Sequence, residues 1–72
     1  MREVLTVSRA IDAWLTQNTT NGRLPTTKEI DARAGQLKQF VAEKVGVQPA
    51  GLKRETLADL AKRAVQQKRQ RS

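Results

Sequence analysis

The chain has 72 residues, no cysteine and no histidine, and its 14 Lys and Arg against 7 Asp and Glu give a formal net charge of +7. A chain this short forms one small domain with a thin core, since it buries only about 60% of the surface that its unfolded form exposes. The missing residue types exclude a disulfide framework, a zinc site of the usual ligands and a Cys or His catalytic group. We therefore expect no enzyme activity, metal, cofactor or small-molecule substrate, and an anionic partner.

The sequence also bears on location. The first residues lack the apolar core of a signal peptide, and no stretch approaches the roughly 18 apolar residues of a membrane span. A basic amphipathic helix can also lie on a membrane surface, but the basic segment at the end of this chain has no aromatic residue to insert. We expect a cytoplasmic protein without a membrane partner.

A first helix is predicted from Val4 to about Gln17, because apolar residues recur three and four positions apart. They are Val4, Val7, Ile11, Trp14 and Leu15. The spacing places Trp14 in the core rather than on a platform where bases stack. Polar residues 18–23 then predict a turn in which Gly22 adopts the left-handed conformation. An Asn-Gly hairpin turn is the alternative, disfavoured because neither flank alternates with period two.

A second helix is predicted over about residues 27–34. Thr26 and Glu29 have the spacing of a capping box, in which each side chain accepts a hydrogen bond from the other residue's backbone N–H. Pro25 prevents a helix from continuing into this start from the N-terminal side. Gly35 is expected to close the helix and to form a tight turn.

Two further helices complete the prediction. Helical spacing over residues 36–45 predicts a third helix that ends at Gly46, and after a short break Leu and Ala positions predict a basic amphipathic helix over about residues 52–67. Residues 68–72 have nothing to bury and are expected to form a mobile basic tail. The predicted fold is a single all-α domain of four helices over residues 1–72.

The positive charge is concentrated at the end of the chain. Residues 49–72 carry seven basic and two acidic side chains, whereas residues 1–25 and 26–48 each have an excess of one positive charge. The cations leave the Leu and Ala stripe of the last helix free to pack. A solvated helix face without a partner is one interpretation. The other is that these side chains contact DNA phosphates: Lys53, Arg54, Lys62, Arg63, Lys68, Arg69 and Arg71.

The second and third helices, joined at Gly35, have the layout of a helix-turn-helix over about residues 26–46. In such a motif the second helix lies in the major groove of DNA. Polar side chains at its start would then face bases: Gln36, Lys38 and Gln39. Glutamine can pair with adenine, and lysine with guanine. Two short helices joined by a glycine also occur in any small helical bundle. The layout by itself therefore does not distinguish a DNA-binding motif from ordinary helix packing.

An amphipathic helix and a polar turn containing Gly22 precede the motif Pro25-Thr26-x-x-Glu29-Ile30-x-x-Arg33-x-Gly35. This arrangement resembles the N-terminal winged-helix DNA-binding domain of the SOS-response repressor and of similar bacterial, phage or plasmid regulators. The resemblance covers about the first half of the chain and implies a DNA-reading helix that starts near Gln36. We carry over the topology of the first three helices. No alternating strand pair follows the third helix, so no wing is predicted.

The sequence thus favours a protein that binds double-stranded DNA as a small bacterial, phage or plasmid transcription regulator or accessory factor. So short a recognition surface favours a homodimer or a protein partner. One alternative is an adaptor that docks on an acidic surface of a polymerase or replication protein. Another is an RNA- or ribosome-associated basic protein, although Trp14 and Phe40 are the only aromatic residues available for stacking.

Overall fold

The computed structural model describes residues 5–71, and for residues 70 and 71 the backbone alone. This part of the chain is helical, with no strand, which confirms the all-α fold class. It forms four α-helices and one short 3-10 helix: α1 (Val7–Gln17), α2 (Thr27–Ala32), α3 (Ala34–Val45), the 3-10 helix (Pro49–Gly51) and α4 (Arg54–Arg71). The three longer helices pack against one another, and α2 packs on α3 and α4.

The start of α1 is set by Thr6, whose Oγ1 accepts a hydrogen bond of 3.2 Å from the backbone N–H of Arg9. Such a cap satisfies one of the backbone donors that a helix leaves without an internal partner. The helix therefore begins at Val7, so the prediction is wrong for Leu5 and Thr6, which precede it, while Val4 lies outside the described residues. Its predicted end at Gln17 is confirmed.

The connection from α1 to α2 is an Asn-Gly turn, the alternative that the alternation argument disfavours. Thr20 and Arg23 exchange two backbone hydrogen bonds of 3.0 and 2.8 Å around Asn21 and Gly22, whose φ angles are 52° and 76°. Two central residues with positive φ are the requirement of a type I′ turn. The left-handed Gly22 is confirmed. Alternation is a poor guide here because only one residue pairs on each side of the turn.

The predicted capping box at the start of α2 is confirmed. Oγ1 of Thr26 accepts from the backbone N–H of Glu29 at 3.2 Å, and Oε1 of Glu29 accepts from the N–H of Thr26 at 3.1 Å. The predicted end is wrong, since α2 ends at Ala32 and a single residue, Arg33, separates it from α3. The predicted turn at Gly35 is also wrong, because this glycine lies within the first turn of α3. A Cβ at Gly35 would meet nothing within 4 Å, so no close approach requires a glycine.

The helix α4 extends further than predicted, because it runs to Arg71 rather than to about residue 67. The segment 68–71, predicted as a mobile tail, is helical, and Ser72 lies outside the described residues. Lys, Arg and Gln have high intrinsic helix propensity, and cations near a helix C-terminus interact favourably with the helix dipole.

The core is formed by all four α-helices. Trp14 is 3% exposed, which confirms its predicted burial. The helical spacing of apolar residues in the sequence also predicts core positions for Phe40 and Leu60. Phe40 is only half-buried, however, and Leu60 is 38% exposed. Leu60 lies about 100° around α4 from the buried Ala61, which places it at the edge of the packed stripe. The buried cluster is Ala10, Ile11, Trp14, Leu15, Ile30, Leu37, Val41, Leu57, Ala58, Ala61 and Val65.

Candidate nucleic-acid interface

The exposed face of α3 carries two of the three predicted base-facing residues. Leu37 and Val41 are fully buried and fix the inner face of the helix. Gln36 and Gln39 are exposed, and three residues of helix separate them by only about 60° around its axis. Glu43 is exposed one turn further along the same face. The two glutamines therefore project together from the N-terminal half of α3.

Lys38 lies apart from this face. It is about 100° around α3 from Gln39 and about 160° from Gln36, and it is half-buried. Its neighbours are Lys53 and Arg54 at the start of α4. The structure therefore does not place Lys38 on the face of the two glutamines. The assignment of Lys38 to bases stays a prediction.

The groove between α3 and the start of α4, the α3–α4 groove, encloses about 550 Å³. The cations Lys38, Lys53 and Arg54 line it together with the carboxylates of Asp31 and Glu55. Three cations against two carboxylates leave a net charge of +1. Lys53 and Arg54, which the sequence assigns to phosphates, thus line the same groove as Lys38, which the sequence assigns to bases.

The cations further along α4 have carboxylate partners. Surface ion pairs of this kind contribute about 0–1 kcal/mol, so a phosphate can compete for the cation. Two of the pairs join α4 to other helices, and one lies within it. They are Lys62 Nζ to Asp31 Oδ1 at 2.8 Å, Lys68 Nζ to Asp12 Oδ1 at 3.8 Å, and Arg63 Nη2 to Asp59 Oδ2 at 3.3 Å.

Lys68 and Arg69 line a second recess, the turn cleft, between the Asn-Gly turn and the last turns of α4. It encloses about 590 Å³, and Arg23 at the end of the turn supplies a third cation. The last predicted phosphate contact, Arg71, lies in the final turn of α4, and its side chain is outside the described part of the structure.

Arg33, part of the motif that carries the resemblance, has a structural role. Its Nη1 donates to Oδ1 of Asn18 at 3.2 Å, and its Nη2 lies 3.4 Å from Oε2 of Glu29. Arg33 therefore joins the end of α1 to α2. The capping box and Arg33 also affect the pKa of Glu29. The hydrogen bond from the backbone N–H of Thr26 is the main cause that lowers the pKa of the Glu29 carboxyl, and Arg33 adds to the effect.

Within the described residues, no group of three or more Asp, Glu, His or Cys side chains could hold a metal ion. None of the described helices combines the length and the apolar character needed to cross a membrane.

No family model, curated protein or solved structure matches this chain. Its chemistry has to be inferred from its own surface, which offers two glutamines on α3 and two recesses lined by cations.

Arg23 is the residue of this surface that sequence reasoning missed. It lies in a nearly neutral third of the chain, so a count of charge along the sequence gives it no weight. The signal that could have found it is the Asn-Gly dipeptide, since an Asn-Gly hairpin turn fixes the position of the residue that follows it.

Proposed function

We propose that this chain binds double-stranded DNA as a small transcription regulator or accessory factor, with α3 in the major groove. One observation carries the proposal: α3 exposes Gln36 and Gln39 together on one face, and on another side the same helix contributes Lys38 to a groove lined by three cations. One helix thus carries candidate base-reading groups on one face and a candidate phosphate-binding group on another, and sequence-specific binding uses both kinds of contact.

The dimensions of α3 suit this role. Its 12 residues make a rod of about 18 Å, and the major groove, about 12 Å wide, admits an α-helix. Gln36 and Gln39 lie in its first two turns, and each amide can donate to and accept from the edge of an adenine. Glu43, further along the same face, would accept from the amino group of a cytosine.

The α3–α4 groove supplies backbone contacts. Lys53 and Arg54 are exposed at the start of α4, and Lys38 reaches the same groove from α3. Contacts of this kind hold the protein in register on the duplex without reading its sequence. The resemblance to repressor DNA-binding domains points in the same direction through the order of α1, α2 and α3.

The proposal is tested by selection from random duplexes, followed by mobility shift of the selected and of scrambled sequences. We expect an enriched motif of a few base pairs and binding that weakens steeply with salt, with a slope for about four to seven neutralised phosphates. Absence of any shift at about 50 mM salt would overturn the proposal. An RNA duplex of the same sequence serves as competitor, and tighter binding of the RNA would favour the RNA-associated alternative.

The adaptor alternative is favoured by an apolar groove of about 400 Å³ between α1 and α4. Val7, Ile11 and the exposed Leu60 line it, and Arg63 lies at its rim. The partner that suits this groove is an acidic protein segment carrying apolar side chains, because the chain has a net charge of +7. A partner recovered from nuclease-treated lysate, and lost with Leu60→Ser but kept with Leu60→Met, would favour the adaptor. Loss of all partners on nuclease treatment would favour DNA.

A further inference from the structure

The turn cleft brings together cations from two distant parts of the chain. Arg23 follows the Asn-Gly turn, whereas Lys68 and Arg69 lie in the last turns of α4. Gly22, Leu24 and Thr26 complete the described lining, which contains no carboxylate. The α3–α4 groove has two carboxylates beside its three cations. Counted over the described lining residues, the turn cleft therefore has a formal charge of +3 and the α3–α4 groove +1.

The backbone that carries these cations is held in place. The two hydrogen bonds between Thr20 and Arg23 close the Asn-Gly turn. Leu24 packs against the core, and Pro25 is buried, so the chain that leaves the turn is anchored. A binding group on an anchored backbone loses less conformational entropy when it binds a ligand.

The ion pair that Lys68 makes beside the cleft is weak. Lys68 Nζ lies 3.8 Å from Oδ1 of Asp12, and the two side chains are 45% and 51% exposed. A pair at this distance and exposure contributes little, so Lys68 can turn towards an anion in the cleft at small cost. Arg23 uses only its backbone groups to close the turn, which leaves its guanidinium for a ligand.

The two recesses open on the same side of α4. Ala58 lines the α3–α4 groove and Arg69 lines the turn cleft. Arg69 lies eleven positions after Ala58, which is about three full turns and brings both to one side of the helix. Arg54 and Arg69 are about 22 Å apart along α4, a length that suits an extended polyanion rather than one small anion.

We propose that the turn cleft binds a phosphate group of a nucleic-acid backbone, so that one polyanion is held at both ends of α4. The identity of that polyanion rests on the proposed function, whereas the preference of the cleft for phosphate rests on its own cations. Duplex DNA advances about 3.4 Å per base pair, so 22 Å corresponds to about six base pairs along the helix axis.

The test is a titration of the isotope-labelled protein, followed by two-dimensional amide NMR, first with inorganic phosphate and then with a duplex of about 20 base pairs at low salt. We expect both ligands to shift the amides of Gly22, Arg23 and Arg69 in a saturable way. Only the duplex should also shift the amides of Gln36 and Gln39. A phosphate titration without shifts confined to the cleft would overturn the proposal.

The duplex arm separates the two proposals. Amide shifts on α3 without shifts at the turn cleft would refute phosphate binding in the cleft and would still support base contacts by α3. Shifts at the cleft without shifts on α3 would support the cleft and count against base reading by α3. Shifts at the cleft with phosphate but not with the duplex would assign a free anion and refute the backbone contact.

Arg23→Ala provides the matched variant, since Arg23 makes no side-chain contact on which the fold depends in the described structure. We expect the salt dependence of duplex binding to lose about one neutralised phosphate. Arg9→Ala removes the same charge from an exposed position on α1 that lines neither recess. Equal reductions of the salt slope in Arg23→Ala and Arg9→Ala would show an effect of net charge alone and would refute phosphate binding in the turn cleft. Arg23→Lys should retain most of the slope.

Discussion

Lys62 on α4 approaches Asp31 on α2 to 2.8 Å, the shortest ion pair among the described residues. Asp31 also lines the α3–α4 groove, so this one carboxylate lowers the positive potential of the groove while it occupies a cation of α4. The side chains are 30% and 61% exposed, which makes the pair a weak contributor to stability and a stronger one to surface charge.

Asp31→Asn should therefore tighten binding to duplex DNA. We expect affinity to rise about twofold to fivefold at low salt, and the salt slope to gain about one phosphate as Lys62 becomes available. The free energy of unfolding should fall by about 0–1 kcal/mol. Fluorescence anisotropy with a labelled duplex at several salt concentrations measures the first two quantities. Asp59→Asn removes the same charge and releases Arg63 outside both recesses, so an equal gain in that variant would show that the α3–α4 groove has no part in the effect.

Variants of α3 and α4 should separate base reading from backbone contact. Gln39→Ala should reduce discrimination between the selected and scrambled duplexes by about 1–3 kcal/mol, the value of one bidentate base contact. Arg54→Ala should weaken both duplexes equally. Lys38→Ala should behave like Arg54→Ala, because Lys38 lies in the α3–α4 groove and not on the face of Gln36. If Lys38→Ala reduced discrimination instead, the sequence-based assignment of Lys38 to bases would stand.

Two glycines should respond oppositely to alanine. Gly22 has a φ of 76°, and Gly22→Ala should cost about 1–2 kcal/mol because an alanine is strained in that region. Gly35 lies within α3 with nothing within 4 Å of a Cβ, so Gly35→Ala should stabilise by about 0.5–1 kcal/mol. Urea denaturation of both variants measures the difference. A loss of stability in Gly35→Ala would instead favour a turn at that position.

Sequence reasoning succeeded where the signal is local. The capping box at Thr26 and the left-handed Gly46 that ends α3 each depend on a few neighbouring residues, and both are present. It failed for Gly35, because a glycine is compatible with a turn and with the first turn of a helix. The end of α2 is instead set by tertiary contacts, in which Arg33 binds Asn18, fifteen residues away.

The candidate site was less predictable than the fold, because a site depends on which helices meet. The sequence shows that α4 is basic, but not that its first residues meet Lys38 or that its last ones meet Arg23. A count of charges along the sequence does not show which carboxylates from other helices lie next to the cations of α4. Asp12 and Asp31 both belong to other helices and face cations that the sequence assigned to phosphates.

The packing of α4 can be tested with two leucines one turn apart. Leu57 is 2% exposed within the core and Leu60 is 38% exposed. Leu57→Ala should cost about 2–5 kcal/mol, the range for buried leucines, and Leu60→Ala less than about 1 kcal/mol. Circular dichroism during thermal unfolding measures both. If Leu57→Ala does not fold, Ile30→Val provides a milder core change of about 0.5–1.5 kcal/mol. Equal effects at Leu57 and Leu60 would contradict the observed orientation of α4.

Acid should destabilise the start of α2 through Glu29. Because the folded state lowers the pKa of this carboxyl, its contribution to stability is present above the pKa of the unfolded chain and is lost as the pH falls through the lower folded pKa. Glu29→Gln keeps an oxygen for the N–H of Thr26 but does not titrate. The free energy of unfolding of the wild type should therefore exceed that of Glu29→Gln at about pH 7, and the gap should close at about pH 3. Urea denaturation at both pH values measures it, and a gap that widens on acidification would contradict the capping box as its source.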